Sequence, residues 1–397
     1  FINMKNEVYI IEGKRTPVGS FKGGLSSVKA PVLGAVVIKD LVANSSLKTS
    51  QINEVIMGNV LPAGLGQAPA RQAALKAGLP NLVECLTINK MCGSGLKAIM
   101  LGMQVIQSGD AQVIISGGME NMSSVPYLLP KARSGYRLGH GEIIDSMITD
   151  GLWDAYHDKH MGSCAEMLAE KNKISRKQQD QFAEQSYKKA QTAIKSGWFS
   201  DEIVPVSVPQ WKGAPIFVDQ DEEPKRANFD KMKKIKPAFE KSGTITAANA
   251  SKINDGAAAV LISSAEFAHS NKLKSKAKMI AQASSAHEPD WFTTAPIKAI
   301  SKVLSKAGLN EKDIDLWEIN EAFAPVAMAA VDEYKIDGNK VNVCGGAIAL
   351  GHPIGASGAR ILVTLLHSLK RVSGRFGLAT LCIGGGEASA LIIERTS

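Results

Sequence analysis

Hydrophobic positions along the chain follow two alternating rhythms. After Cys92, the residues Leu96, Ile99, Met103 and Ile106 recur at spacings of three and four, the stripe that a helix buries against a neighbour. Val/Ile-rich runs at Val113–Ser116 and Leu378–Ile383 are short and continuously apolar, which predicts buried strands. Between them the pattern turns polar. Arg176–Lys195 predicts a solvated helix, and Pro205, Pro209, Pro215 and Pro224 mark loops. The Ala-rich run Gly256–Ser263 predicts a return to the first sheet.

The pattern also repeats. Leu47, Ile52 and Glu54 ahead of Val-Ile-Met-Gly-Asn59 match Leu309, Ile314 and Leu316 ahead of Trp-Glu-Ile-Asn320, at an offset of 262. The Cys92 loop with its following helix matches the His352 loop and its own at an offset of 260, and Ala111–Glu120 resembles Leu378–Glu387 at 267. Three pairs in one order at nearly one offset predict two copies of an α/β unit. The expected division is an N-terminal half at 4–122 completed by 251–272, an inserted segment at 123–250, and a C-terminal half at 273–397.

A chain of 397 residues exceeds the roughly 250–300 that one core supports, so more than one domain is expected. No stretch approaches the ~18 continuous apolar residues of a membrane helix. The cysteines (Cys85, Cys92, Cys164, Cys344 and Cys382) are odd in number and far apart, which points to free thiols in a reducing compartment and to no metal site. No basic and apolar leader opens the chain, and Phe1-Ile2-Asn3 ahead of Met4 is set aside as an addition before a natural start. A bacterial-type cytoplasm is the expected compartment. Of the net charge of +8, a local excess of +5 lies at Lys225–Lys241, seven basic residues against two acidic, which is either a solvated face or the rim of a phosphate site, and such a confined patch argues against nucleic acid.

Four segments carry candidate chemistry: Cys92 in Asn-Lys-Met-Cys-Gly-Ser-Gly, Asn320 in Asn-Glu-Ala-Phe, His352 in Gly-His-Pro-Ile-Gly and Cys382 in Cys-Ile-Gly-Gly-Gly. Each sets a nucleophile, base or donor beside small residues, which lets the reactive atom stand clear and leaves N–H groups free for an oxyanion. Cys92 falls at a strand-to-helix turn, where the helix N-terminus favours a thiolate. Neither Gly-Ser-Gly nor Gly-Gly-Gly forms a spaced dinucleotide fingerprint with an acidic ribose partner, so NAD is set aside.

On these motifs, and on Arg15-Thr-Pro-Val-Gly-Ser-Phe near the start, nearly the whole chain resembles the thiolases, in particular their acetoacetyl-CoA (acetyl-CoA acetyltransferase) branch. The resemblance implies an α/β thiolase fold: two similar βαβ-type halves in five αβαβα layers, with an inserted loop domain. It implies reversible Claisen condensation of two acetyl-CoA to acetoacetyl-CoA and CoA, with no permanently bound cofactor. By the same match Cys92 is the nucleophile, His352 activates it and donates to the thioester oxygen, and Cys382 is the acid/base. Asn320 holds a water at one oxyanion site, and the N–H groups of Cys92 and Gly384 form the other. For coenzyme A the match implies Leu152, His160, Met161, Ala250 and Ser251 along the pantetheine slot. Lys225 or Arg226 meets the nucleotide phosphates, and Phe292 and Phe323 wall the acyl pocket beside Met161. Tyr127–Gly141 resembles a tetramerisation loop, which implies a homotetramer. The alternatives within reach are a broader-chain 3-ketoacyl-CoA thiolase, a decarboxylating synthase and a catalytically silent lipid-binding relative.

Overall fold

The computed structural model describes residues 7–396; the expectation placed on Phe1–Met4 lies outside them. In chain order the first half is β1 (Val8–Arg15), α1 (Ala30–Ala43), β2 (Glu54–Gly58), α2 (Pro69–Lys76), β3 (Glu84–Ile88), α3 (Ser94–Ser108) and β4 (Val113–Asn121). An insertion follows, with helices α4 (Met161–Lys171) and α5 (Arg176–Lys195), before β5 (Asn254–Ser264). The second half is β6 (Ala277–Ala286), α6 (Ala295–Ala307), β7 (Leu316–Ile319), α7 (Ala324–Tyr334), α8 (Ile354–Val372), β8 (Phe376–Ile383) and β9 (Glu387–Arg395).

One sheet runs through both halves in the order β7-β8-β9-β6-β1-β5-β4-β2-β3. The order is palindromic about the β1–β6 seam: β1 answers β6, β5 answers β9, β4 answers β8 and β2 answers β7. The seam is short and antiparallel, with Val8, Tyr9 and Ile10 opposite Met279, Lys278 and Ala277. Strand β3 has no full counterpart. In its place Val341 makes a single parallel bridge to Trp317. The Ala-rich run is β5, paired with β1 and β4, so the chain returns to its first sheet after the insertion.

Burial sorts these elements into layers. On one outer side α1 and α2 cover the first half through Leu33, Val37, Leu41, Ala70 and Ala73. On the other, α6 and α7 cover the second half through Ala299, Ile300, Val303 and Ala327. Between them α3 and α8 are packed by both halves, with Leu96, Ile99 and Met103 beside Ile361, Leu362 and Leu365. The sequence is α, β, α, β, α. Residues 354 to 369 of α8 are all buried, as a helix enclosed between the two halves of the sheet must be. Its one charge inside that stretch, Arg360, meets Glu318 of β7 at 3.3 Å.

Glycines set the closeness of the central layer. A Cβ on Gly358 would lie 2.4 Å from Leu96 N, and one on Gly95 would lie 2.8 Å from Ala359 N. The two helices therefore cross backbone on backbone at their N-terminal turns. Because α3 follows the Cys92 loop and α8 follows the His352 loop, this crossing brings the two loops together.

Candidate active site

Cys92 ends a tight turn between β3 and α3. Met91 holds a left-handed φ of 46°, rare for a side-chain-bearing residue, and its N–H donates to Asn89 Oδ1 at 2.9 Å. Ser94 Oγ closes the turn, accepting from Lys90 N at 2.8 Å and donating to Met91 O at 2.7 Å. Lys90 pairs with Glu387 of β9, which ties the turn to the second half. Gly93 is pressed against the end of β8, where a Cβ would reach within 2.3 Å of Ile383 Cδ1. That contact sets the Cys92 sulfur beside Cys382 and Gly384. The N–H groups of Gly384 and of Cys92 itself lie close enough to the sulfur to favour its charged form.

The expectation of a resting thiolate is corrected here. Burial pushes the Cys92 thiol up to about 11, the two N–H groups only partly offset it, and nearby Glu120 pushes the same way. No imidazolium stands by to help. His352 is 5% exposed, and burial together with the Arg360 charge lowers it to about 3. A helix N-terminus lowers a thiol's pKa only where desolvation does not outweigh it. At rest the site holds a neutral thiol and a neutral imidazole.

The hydrogen bonds fix the tautomer of that imidazole. Ser357 Oγ donates to Pro353 O at 2.9 Å, so it receives the His352 Nδ1 proton at 2.6 Å. Nε2 is left as a bare acceptor, without a partner in the protein. The ring is further set by Gly351, whose φ of 109° lets the next N–H, that of His352, donate to Asn254 Oδ1 at 2.9 Å. Ser357 was not singled out from the sequence; its place five residues after His352, in the first turn of the following helix, was the available signal.

Asn320 is 1% exposed, and neither Oδ1 nor Nδ2 has a partner within the protein. Leaving a buried polar group unmade costs about 1–3 kcal/mol, so such a residue calls for a ligand. Its backbone N–H donates to Thr380 O at 3.0 Å, two residues before Cys382. Cys382 is fully buried, and both burial and the neighbouring Cys92 sulfur raise its thiol well above its usual range.

A cleft of about 740 Å³ opens beside this group, its wall including His352, Leu152, His160, Ala250, Ser251 and Phe323. His160 caps α4, its Nδ1 accepting from Gly162 N at 3.0 Å, so the neutral ring carries its proton on Nε2 as a donor. Phe239 stacks on it at 4.7 Å and meets Phe323 edge-on at 5.8 Å. This aromatic was missed in the sequence because it sits among lysines.

Two assignments change. Of the basic run, Arg226 and Lys231 line the cleft while Lys225 points to solvent, since its short 3₁₀ turn carries neighbouring side chains in different directions. Phe292 is 3% exposed and stands behind the wall, in a cluster with Met161, Phe323 and Cys382, rather than on its surface. Met161 is nearer the chemistry, its Sδ 3.5 Å from where a Cβ on Gly384 would be. Cys164 and Cys344 are packed in separate apolar clusters, and Cys85 lies on β3 at the sheet edge. Among the described residues no cluster of His, Cys, Asp and Glu could hold a metal ion, and no helix is long and apolar enough to cross a membrane.

Residues 8–266 match the family described as "Thiolase, N-terminal domain" and residues 273–395 match "Thiolase, C-terminal domain". The chain is 53% identical to an acetyl-CoA acetyltransferase of Pseudomonas aeruginosa over 98% of its length and 99% of that protein's. It is 52% identical to one of Cupriavidus necator, again over 98% and 99%. Among solved structures, the Acat5 thiolase from Ascaris suum in complex with coenzyme A superposes with a TM-score of 0.94 at 46% identity, covering 98% of this chain and 100% of that one. The Bacillus anthracis acetyl-CoA acetyltransferase superposes at 0.96 with 40% identity, covering 99% of each.

Proposed function

The chain belongs to the thiolase family, and from that premise we propose that it is an acetyl-CoA C-acetyltransferase, joining two acetyl-CoA into acetoacetyl-CoA and CoA and cleaving them in reverse. One observation carries the assignment of residues. Two thiols from opposite halves of the duplicated fold stand close enough to influence each other, packed behind residues of the cleft wall, and the imidazole of His352, with its bare nitrogen, lines that same cleft.

In the first half-reaction His352 Nε2 takes the Cys92 proton as the sulfur attacks the acetyl carbonyl, so the nucleophile need not be ionised beforehand. The carbonyl oxygen turns toward the N–H groups of Cys92 and Gly384, which already point at the sulfur. Coenzyme A departs as a thiolate and takes its proton from Cys382, a thiol whose raised pKa keeps it protonated until then. Cys382 is thereby the base for the second half. It removes a methyl proton from the second acetyl-CoA, and the enolate oxygen is stabilised by the His352 imidazolium and by a water on Asn320. The carbanion attacks acetyl-Cys92, Cys92 leaves as thiolate, and His352 returns the proton it took. Atoms and protons balance over the cycle.

The residues on the cleft wall support a coenzyme slot, with Arg226 and Lys231 facing the phosphates and Ser251 and His160 the pantetheine amides. The segment Tyr127–Gly141 exposes Tyr127, Leu129, Tyr136 and Leu138, at 107% for Leu138, and apolar side chains so placed support assembly into a homotetramer. A sedimentation mass near two subunits would remove that assignment. The division of labour between the thiols is tested by two variants. Cys92→Ser should form no acetyl-enzyme from radiolabelled acetyl-CoA, whereas Cys382→Ser should acetylate but lose hydrogen exchange at the acetyl methyl. Equal failure of both at acetylation would refute it.

A further inference from the structure

One charged side chain on the cleft wall has no part in the chemistry above. Lys252 follows Ser251, is half-buried, and lines the cleft with Arg226, Tyr187 and Glu223. Its ammonium is not free to sweep the cleft. Nζ donates to Ala250 O at 2.7 Å and stands 5.8 Å from the Tyr187 ring centroid. Glu223 and Glu321, both nearly buried, attract it from two other segments of the chain. Glu223 has one further cation near it, Arg226 at 3.9 Å, too long for a firm hydrogen bond.

The carbonyl that Lys252 grips belongs to the turn that forms the slot. Ala250 bridges Phe323 and its N–H donates to Thr246 O at 3.1 Å, while Ser251 N donates to Ala322 O at 2.9 Å. One face of this turn is thus fixed to the Asn320 loop by backbone bonds. On its other face the lysine's Nζ holds Ala250 O and stands over the Tyr187 ring of α5.

We propose that Lys252 is a positioning residue for the coenzyme: its ammonium, tethered to Ala250 O and set over the Tyr187 ring, braces the Ala250–Ser251 turn against α5, so that the pantetheine-binding wall is formed before the thioester arrives. The proposal rests on reading this cleft as the coenzyme slot. Burial lowers the Lys252 ammonium to about 8 while the two glutamates work against that fall, so the clamp is charged at neutral pH. An ammonium bonded to a carbonyl and set over an aromatic ring is worth more than its stem, and removing it acts on binding rather than on the reacting atoms.

The test is titration of coenzyme A into the full-length enzyme, with thiolysis kinetics, for wild type, Lys252→Ala, Lys252→Met and Lys252→Arg. Both uncharged variants should bind coenzyme A about tenfold more weakly, with KM rising in step and kcat within about twofold, and Arg should stay near wild type. Methylammonium should restore the Ala variant, which leaves room for it, and not the Met variant. Wild-type affinity in Lys252→Met would overturn the proposal, since the stem alone would then suffice, and so would an Ala variant that methylammonium does not restore. Should Lys252→Ala not fold, the Met and Arg variants decide between charge and shape by the same titration. A wild type that binds no coenzyme A would instead overturn the functional reading, and this proposal with it.

Discussion

Replacing Gly358 with alanine tests whether the crossing of α3 and α8 is what holds the nucleophile and base in register. The new Cβ would lie 2.4 Å from Leu96 N and 2.7 Å from Leu96 Cβ, whereas ordinary contact begins near 3.4 Å. The helices must part by about 1 Å. Neither can yield locally, because the obstacle is backbone and α8 is enclosed between the two halves of the sheet. Overpacking of this kind costs about 1–3 kcal/mol, and alanine's better helix propensity returns up to about 1 kcal/mol. A net loss of about 1–2 kcal/mol is expected from urea unfolding. The effect on rate should be larger. Cys92 and His352 lie two residues ahead of the two helices and move with them, and a displacement of about 1 Å between reacting groups lowers a rate about 100-fold. Thiolysis of acetoacetyl-CoA at saturating substrate reads this directly. Ile300→Val in the outer layer serves as control, losing about 0.5–1.5 kcal/mol without touching the crossing. A Gly358→Ala enzyme with wild-type kcat, or one slowed no more than the control, would refute the reasoning.

Asn320→Ala should lower kcat by about 100-fold or more while leaving stability unchanged or up to about 1 kcal/mol higher, since the lost groups are unpartnered inside the protein; a destabilised variant would count against an oxyanion role. With Cys92 near 11 and His352 near 3, the sulfur holds its proton at rest between those limits. Alkylation of wild type by iodoacetamide should then be nearly flat with pH across the neutral range, whereas His352→Gln should gain about tenfold per unit as free thiolate appears. The same histidine makes an acid-stability prediction. Its folded pKa lies below the usual value of about 6.5, so between there and about 3 the unfolded chain binds more protons and stability is lost as the pH is lowered; His352→Gln should lack this part of the slope in urea titrations. Met161→Ala should raise cleavage of 3-ketohexanoyl-CoA relative to acetoacetyl-CoA at least about tenfold, as judged by kcat/KM, if Met161 limits acyl length.

Local chemistry was legible in the sequence because short motifs fix short-range geometry. The spacing after Cys92 foretold α3, the run at Leu378–Ile383 foretold β8, and the 260-residue echo between the Cys92 and His352 loops foretold two helices of one kind. What the echo could not convey is that the two meet. The repeated asparagines make the same point: Asn59 and Asn320 hold equivalent places, yet Asn59 Nδ2 donates to Glu120 at 2.7 Å while Asn320 is bare. Likewise nothing in Pro224-Lys225-Arg226 says which basic side chain faces the cleft.

The sequence by itself determined the residues able to react, the strands and helices that carry them, and the duplication that orders those elements. Only the tertiary structure decided their protonation and their partners. A pKa depends on how much water is excluded around a group and on which charges come from distant segments, and both are set when the halves close on α3 and α8. Burial thus turned an expected thiolate into a thiol, and it made a lysine beside Ser251 part of the cleft wall.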